Sequence, residues 1–284
     1  MGSIQADTVK PMAQAPETDR PAEGERQQSL QSLERGMAVI QVFSRERPAL
    51  TLSDVANLTG ITRATARRIL LTLEKLGHVR SDGRLFSPTP RLLTLGWAYL
   101  SSLNLSELAM PLMEALVEET HESCSAATLD IPDVVYVARV PTRRIMSITL
   151  SVGTRLPAHC TSMGRVLLAS LPHDDLDDYL RTAKLEPWTD RTITDPERLR
   201  KVLDETRQRS WALVDQELEI GLRSVAAPIR RGSDTIAALN VSSAVSRVSL
   251  DDLRRRILPP LIETANTISN ALTQQGPAYH RHVS

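Results

Sequence analysis

The segment LPAHCTSMGRVLLA, residues 156 to 169, gathers the side chains of this sequence best suited to engage a small molecule. Cys160, Thr161 and Ser162 form a small-residue loop that leads through Met163 directly into a helix. The first amides of a helix carry partial positive charge, so a carboxylate would suit that spot. His159 beside Cys160 invites thiol chemistry, but an activated thiol needs a base oriented by a third group, and none is evident. Ser162 lacks the flanking glycines of a nucleophile elbow. A plain capped helix is the alternative reading of the same residues.

A second group is DQELEIGLRS, residues 215 to 224, in which Asp215, Glu217 and Glu219 place three acids in five positions. These could accept hydrogen bonds from ligand hydroxyls or hold a cation; a solvated loop explains them equally well. No His-x-x-x-His or comparable spacing supports a metal site, and no glycine-rich phosphate loop implies a nucleotide. No metal and no cofactor are expected, and no catalytic residue is assigned.

The third group is basic. Arg63, Arg67 and Arg68 cluster with Thr62 and Thr65, and Arg80 and Arg84 follow. Between Ile61 and Arg91 there are seven Lys or Arg residues against Glu74 and Asp82, an excess of five (7 − 2), whereas the whole chain balances 34 bases against 34 acids. Such a local excess is what phosphate neutralisation on DNA requires.

The elements that must position these residues follow from local rules. Thr51 and Asp54 make a capping box that starts a helix, and Gly60 supplies the left-handed residue that ends it. Thr62 caps a second helix. Ala66, Ile69, Leu70, Leu73 and Leu76 are expected to face its core, which leaves the arginines in the outward N-terminal turns that reach base edges. Ser81-Asp82-Gly83 between Val79 and Leu85-Phe86 reads as a hairpin. The whole is a winged helix-turn-helix; an αα-hairpin with a solvated basic face is the alternative. Leu33, Met37 and Ile40 set a supporting helix before it.

At 284 residues with 41% hydrophobic content, the chain has room for about two domains. No apolar run is long enough to span a membrane and no signal peptide opens the sequence. With Cys124 and Cys160 as its cysteines, neither a disulfide framework nor a cysteine-rich zinc site is expected. A cytoplasmic protein without a membrane partner follows as an expectation. Residues 1–29, with Pro11, Pro16 and Pro21, read as a disordered tail. Residues 30–90 read as the winged domain and 91–104 as an apolar linker helix suited to a subunit interface. Residues 105–275 read as an effector-binding domain, and 276–284 as a C-terminal tail.

In that last domain Pro111 should bend its first helix. Strands are expected around residues 127–131, 134–140, 145–152, 211–215, 224–230 and 235–243, with helices at 161–170, 174–182 and 196–209. A long helix over 250–272 should be interrupted at Pro259-Pro260. Strand runs bracketed by helices imply α+β with a largely antiparallel sheet.

Taken together, these segments resemble the IclR-type transcriptional regulators over about Leu30 to Gln275. The carriers are Ser32-Leu33-Glu34-Arg35-Gly36, LTGITRATARRILLTLEKLG, the Leu-rich linker, SVGTRLPAHCTSMGRVLLAS, residues 215–229, and ALNVSSAVSRVS at 238–249. The loop most resembles the regulators of protocatechuate and β-ketoadipate operons. The resemblance implies a GAF-like effector domain binding a small carboxylate metabolite, and homodimers or dimers of dimers on palindromic double-stranded operator DNA. It implies effector contacts from Cys160, Thr161, Ser162, Met163, Asp215, Glu217, Ser224, Asn240 and Ser242. Some members carry Cys at the position of Ser224 and Ser at that of Asn240, differences that change ligand polarity and shape. Arg139, Arg155 and Arg223 are candidates for the effector carboxylate. Two alternatives stand beside this: a regulator answering to glyoxylate, acetate or a sugar acid, and a small-acid enzyme dependent on Cys160 or His159.

Overall fold

The computed structural model describes residues 29–44, 46–103, 105–142 and 150–274. They fall into two compact units, which divide between Gly96 and Trp97. The tails expected to be disordered lie almost entirely outside the described residues.

The first unit starts with helix α1 (Gln31–Gln41), strand β1 (Leu50–Thr51) and helix α2 (Leu52–Thr59). Thr51 and Asp54 exchange both hydrogen bonds of the capping box, and α2 ends at Gly60, whose φ of 67° lies in the left-handed region. Helix α3 (Arg63–Lys75) begins on Thr62, whose hydroxyl accepts from the Thr65 amide at 3.2 Å. Strands β2 (Val79–Ser81) and β3 (Leu85–Pro88) form the hairpin, with β1 added in the order β1-β3-β2. The Asp82 carboxylate ties the turn by accepting from the Arg84 and Leu85 amides at 2.9 and 2.7 Å.

Val39, Leu50, Val55, Ala56, Ala66, Leu70, Leu73, Val79 and Phe86 make one core. Two expectations are corrected here. Leu76 is exposed, because it occupies the C-cap of α3, where the helical stripe has already run out. Leu33 and Met37 are also exposed, since α1 turns Val39 inward, on the side of the helix away from them.

A single-turn helix (Pro90–Leu92) leads into α4 (Leu93–Leu103), which exposes Leu93, Leu95, Trp97 and Tyr99. In the second unit α5 (Leu105–Thr120) runs continuously through Pro111. Strands β4 (Ser123–Asp130), β5 (Asp133–Val140) and β6 (Arg155–Pro157) follow, then helices α6 (Ser162–Ala169), α7 (His173–Thr182) and α8 (Pro196–Arg209). Strands β7 (Ala212–Asp215), β8 (Leu222–Arg231) and β9 (Asp234–Ala244) complete a six-stranded antiparallel sheet in the order β6-β5-β4-β9-β8-β7. Of the expected strand at 145–152, residues 145–149 lie outside the described residues, and 150–152 are not strand.

The chain closes with α9 (Leu250–Asp252), a π-helical turn (Leu253–Ile257) and α10 (Leu258–Gln274). The irregularity precedes the prolines instead of falling on them. Pro259 and Pro260 have no amide to donate to the preceding turn, and that turn widens so that the Leu258 amide reaches Leu253.

The sheet separates two cores. Cys124, Ala126, Val225, Ala227, Leu239 and Val241 pack against α5 and α10. Ala127, Tyr136, Ala226 and Ala238 pack against α6, α7 and α8. Opposite the step from Ala126 to Ala127, β5 carries one extra residue, Val137, and this bulge puts Arg139 and Tyr136 of β5 together on the α6 face, opposite Ser125 and Ala127 of β4.

Candidate nucleic-acid interface and effector site

Helix α3 presents Arg63, Arg67 and Arg68 to solvent in its first two turns, and the hairpin presents Arg80 and Arg84. Among the described residues none of the five forms an ion pair, although Arg84 lies within electrostatic reach of Asp82 in the turn. Thr62 is committed to capping, and Thr65 is half-buried beside it, its hydroxyl 2.9 Å from that of Thr62. A helix N-terminus flanked by a basic hairpin is the arrangement with which winged helix-turn-helix proteins enter a groove and hold the adjoining backbone.

The second unit has a polar patch on the α6 face of its sheet, and strand register defines it. Arg139, Ser125, Asn240 and Ala226 stand side by side across β5, β4, β9 and β8. Ser123, Ser242 and Ser224 form the next row. Directly opposite residues of an antiparallel ladder project to one side, so both rows face the layer occupied by α6. Ser224, Asn240 and Ser242 are thus brought together, joined by Arg139, Ser125 and Ser123. The Arg139 guanidinium donates to Ser125 Oγ at 3.2 Å, and Asn240 Nδ2 donates to Ser242 Oγ at 3.0 Å.

Helix α6 closes this layer. Thr161 is its N-cap, with its hydroxyl donating to Pro157 O at 3.0 Å and accepting from the Gly164 amide at 3.2 Å. Gly164 is required by space, since a Cβ there would lie 2.1 Å from Ala158 O. Met163 is fully buried among the alanines of the sheet. Cys160 is buried as well, and burial pushes its thiol up to about 12, so it is a neutral packing group with no thiolate to offer. Two polar atoms in the buried layer, Ser162 Oγ and Asn240 Oδ1, have no hydrogen-bond partner among the described residues. Each such atom costs about 1–3 kcal/mol when left unsatisfied.

The carboxylates of the acidic loop have partners within the protein. Asp215 is paired with Arg223 at 2.9 Å and with Arg191 at 3.3 Å. Glu217 is buried, pairs with Arg165 at 2.5 Å and accepts from the Ile193 amide at 3.1 Å. Both carboxylates therefore hold the walls together. The three candidate arginines separate equally clearly. Arg155 binds Asp130 and Asp133, and Arg223 binds Asp215 and Val248 O. Arg139 has no carboxylate partner among the described residues, and burial lowers its pKa from the usual guanidinium value. Sequence reasoning missed Ser125 and Tyr136 as members of this layer. Tyr136 is buried beside Arg139, and burial pushes its phenol up to about 12.

A winged helix-turn-helix and a second unit with an incompletely satisfied polar layer define a DNA-binding regulator with a ligand-sensing domain. Comparison with known proteins agrees in both halves. Residues 32–83 match the IclR helix-turn-helix domain, and residues 97–270 match the C-terminal domain of IclR bacterial transcriptional regulators. The chain belongs to the IclR family of transcriptional regulators. It is 46% identical to the Pca regulon regulatory protein of Pseudomonas putida, over 85% of this chain and 84% of that protein. It is 37% identical to the p-hydroxybenzoate hydroxylase transcriptional activator of Acinetobacter baylyi, over 84% of this chain and 90% of that one. An IclR homolog from Microbacterium hydrocarbonoxydans, solved as a complex with 4-hydroxybenzoate, superimposes with a TM-score of 0.77 at 26% identity, covering 86% of this chain and 99% of that one. These relatives are regulators, and the enzyme alternative falls away.

Proposed function

We propose that this protein regulates a catabolic operon for aromatic acids of the protocatechuate/β-ketoadipate type by binding operator DNA through α3 and the β2–β3 hairpin. Its effector is a small aromatic or ring-derived carboxylate held between α6 and the sheet. The observation that carries the effector reading is Arg139, a partly desolvated guanidinium without a carboxylate partner among the described residues, in one row with Ser125 and Asn240. An incoming carboxylate would restore the charge balance and accept from both nitrogens of the guanidinium fork. Ser162 Oγ would donate to the carboxylate or to a ring oxygen, Asn240 Oδ1 would accept from a ring hydroxyl, and the alanines with Tyr136 would receive the ring. The pathway reading is supported by the names of the two relatives and by the ligand of the third.

The proposed quaternary state is a homodimer or a dimer of dimers, with the exposed apolar side chains of α4 contributing to the contact. Two winged units then read paired half-sites. An effector that binds two dimer arrangements unequally shifts the population between them.

The test is fluorescence anisotropy of the protein on the intergenic DNA upstream of its own coding region, at fixed salt. It is run with and without protocatechuate, β-ketoadipate and 4-hydroxybenzoate. A specific complex whose affinity shifts with one of these acids is the expected result. Specific binding that shifts instead with glyoxylate, acetate or a sugar acid would move the protein to another pathway, and a complex indifferent to sequence would remove the regulator reading.

A further inference from the structure

Glu217 sits 52 residues from its partner Arg165, yet the two meet inside the protein with side chains 10% and 3% exposed. Each carries a further bond to a different segment. Arg165 Nε donates to His159 O at 3.0 Å, which grips the loop just before Cys160. Glu217 Oε2 accepts from the Ile193 amide, while its own carbonyl accepts from Thr192 Oγ1 at 2.6 Å. Three segments are thereby tied to one buried pair: the loop and first turns of α6, the stretch 189–193, and the loop 215–221. The first and last were read from sequence as direct effector contacts.

We infer that Arg165 and Glu217 form a positioning pair for the effector site. They act through the α6 N-terminus, holding Ser162 over the sheet, and Glu217 does not itself touch the ligand. The inference rests on the effector reading above. Its physical basis is that a site binds well when its groups are held in place before the ligand arrives. A guanidinium–carboxylate pair fixed on both sides by backbone atoms is the stiffest connection available between two loops that share no ladder.

Calorimetric titration of the full chain with benzoate, 4-hydroxybenzoate and protocatechuate separates the possibilities, because the three acids share a carboxylate and differ in ring hydroxyls. Three altered proteins are needed: Glu217→Gln, the double substitution R165M/E217L, and Ser162→Leu. The double substitution replaces the pair by apolar groups of similar size, which buried pairs often tolerate without loss of folding. The expected result is that Glu217→Gln and R165M/E217L weaken every acid that binds by one common factor, tenfold or more for the double substitution, and that Ser162→Leu abolishes binding. A loss under Glu217→Gln confined to the hydroxylated acids would make Glu217 a ligand contact and overturn the inference. So would a folded R165M/E217L that binds like the unaltered chain. If Ser162→Leu itself binds normally, the effector site lies elsewhere and the inference falls with that reading.

Discussion

Tyr99 Oη donates a hydrogen bond to Thr128 Oγ1 at 3.1 Å, joining helix α4 to strand β4. Thr128 is buried on the opposite side of β4 from Ser125, which holds the Arg139 guanidinium. One strand thus carries the proposed carboxylate clamp on one face and the anchor of the connecting helix on the other. A change at Ser125 has a short path to α4.

Tyr99→Phe should therefore separate sensing from response. The hydrogen bond is worth about 1 kcal/mol, against a usual coupling between sites of about 1–3 kcal/mol. Effector affinity measured without DNA should stay put, while the effector-induced shift in operator affinity should shrink about fivefold. Anisotropy titrations with and without effector give both numbers, and an undiminished shift would exclude this route.

The uncompensated arginines of α3 make a second prediction. Arg63→Ala and Arg68→Ala should each weaken operator binding by about 1–3 kcal/mol if they touch bases. A phosphate contact would instead reduce the salt slope by about one unit and weaken all sequences alike. Affinity unchanged in both variants would mean that another face of the unit meets the DNA.

For the effector, Arg139→Leu should weaken carboxylate binding about ten- to hundredfold, the worth of a charged hydrogen bond. Arg139→Lys should recover part of this, since it keeps the charge and loses the fork. Titration with 4-hydroxybenzoate and with its uncharged methyl ester checks the assignment: the ester should discriminate poorly between the unaltered chain and Arg139→Leu.

Acid sensitivity follows from His159. Its ring is buried, which lowers its pKa, and the nearby Arg165 acts in the same direction, while Nε2 lies 3.1 Å from Glu186 O. The folded protein thus binds this proton less readily than the unfolded chain, so the unfolded state holds more protons once the pH drops below about 6.5. Stability is complete above that value and is lost as pH falls through the depressed folded pKa. His159→Gln should flatten the fall in Tm between about pH 7 and about pH 5 relative to the unaltered chain. Parallel melting curves over that range decide it.

What the sequence could announce was what neighbours decide. Thr51 with Asp54, Gly60 at the end of α2 and Thr62 at the start of α3 are settled within one turn of chain, and all are legible. Leu76 was misread because periodicity does not reveal where a helix stops. The partners of Asp215 and Glu217, Arg223 and Arg165, were not legible because the fold chooses them across eight and 52 residues. The pairing of Ser125 with Arg139 was invisible for another reason: only the extra residue of β5 at Val137 puts Arg139 on one face with Tyr136. The face of a strand after a bulge cannot be counted from alternation alone.

The space denied to a side chain at Gly164 has a consequence for how this sensor can change. With Ala158 O 2.1 Å from where a Cβ would stand, position 164 is closed to every other amino acid unless the loop is rebuilt. Ser162, Ser224 and Asn240 are bound by no such restriction, and the register that aligns the last two belongs to the backbone. The chassis is thus fixed at a residue that contributes no chemistry, while under the proposed effector site selectivity would reside in a few interchangeable hydroxyls and amides. A laboratory seeking a biosensor for a different acid would randomise those positions and leave the glycine alone.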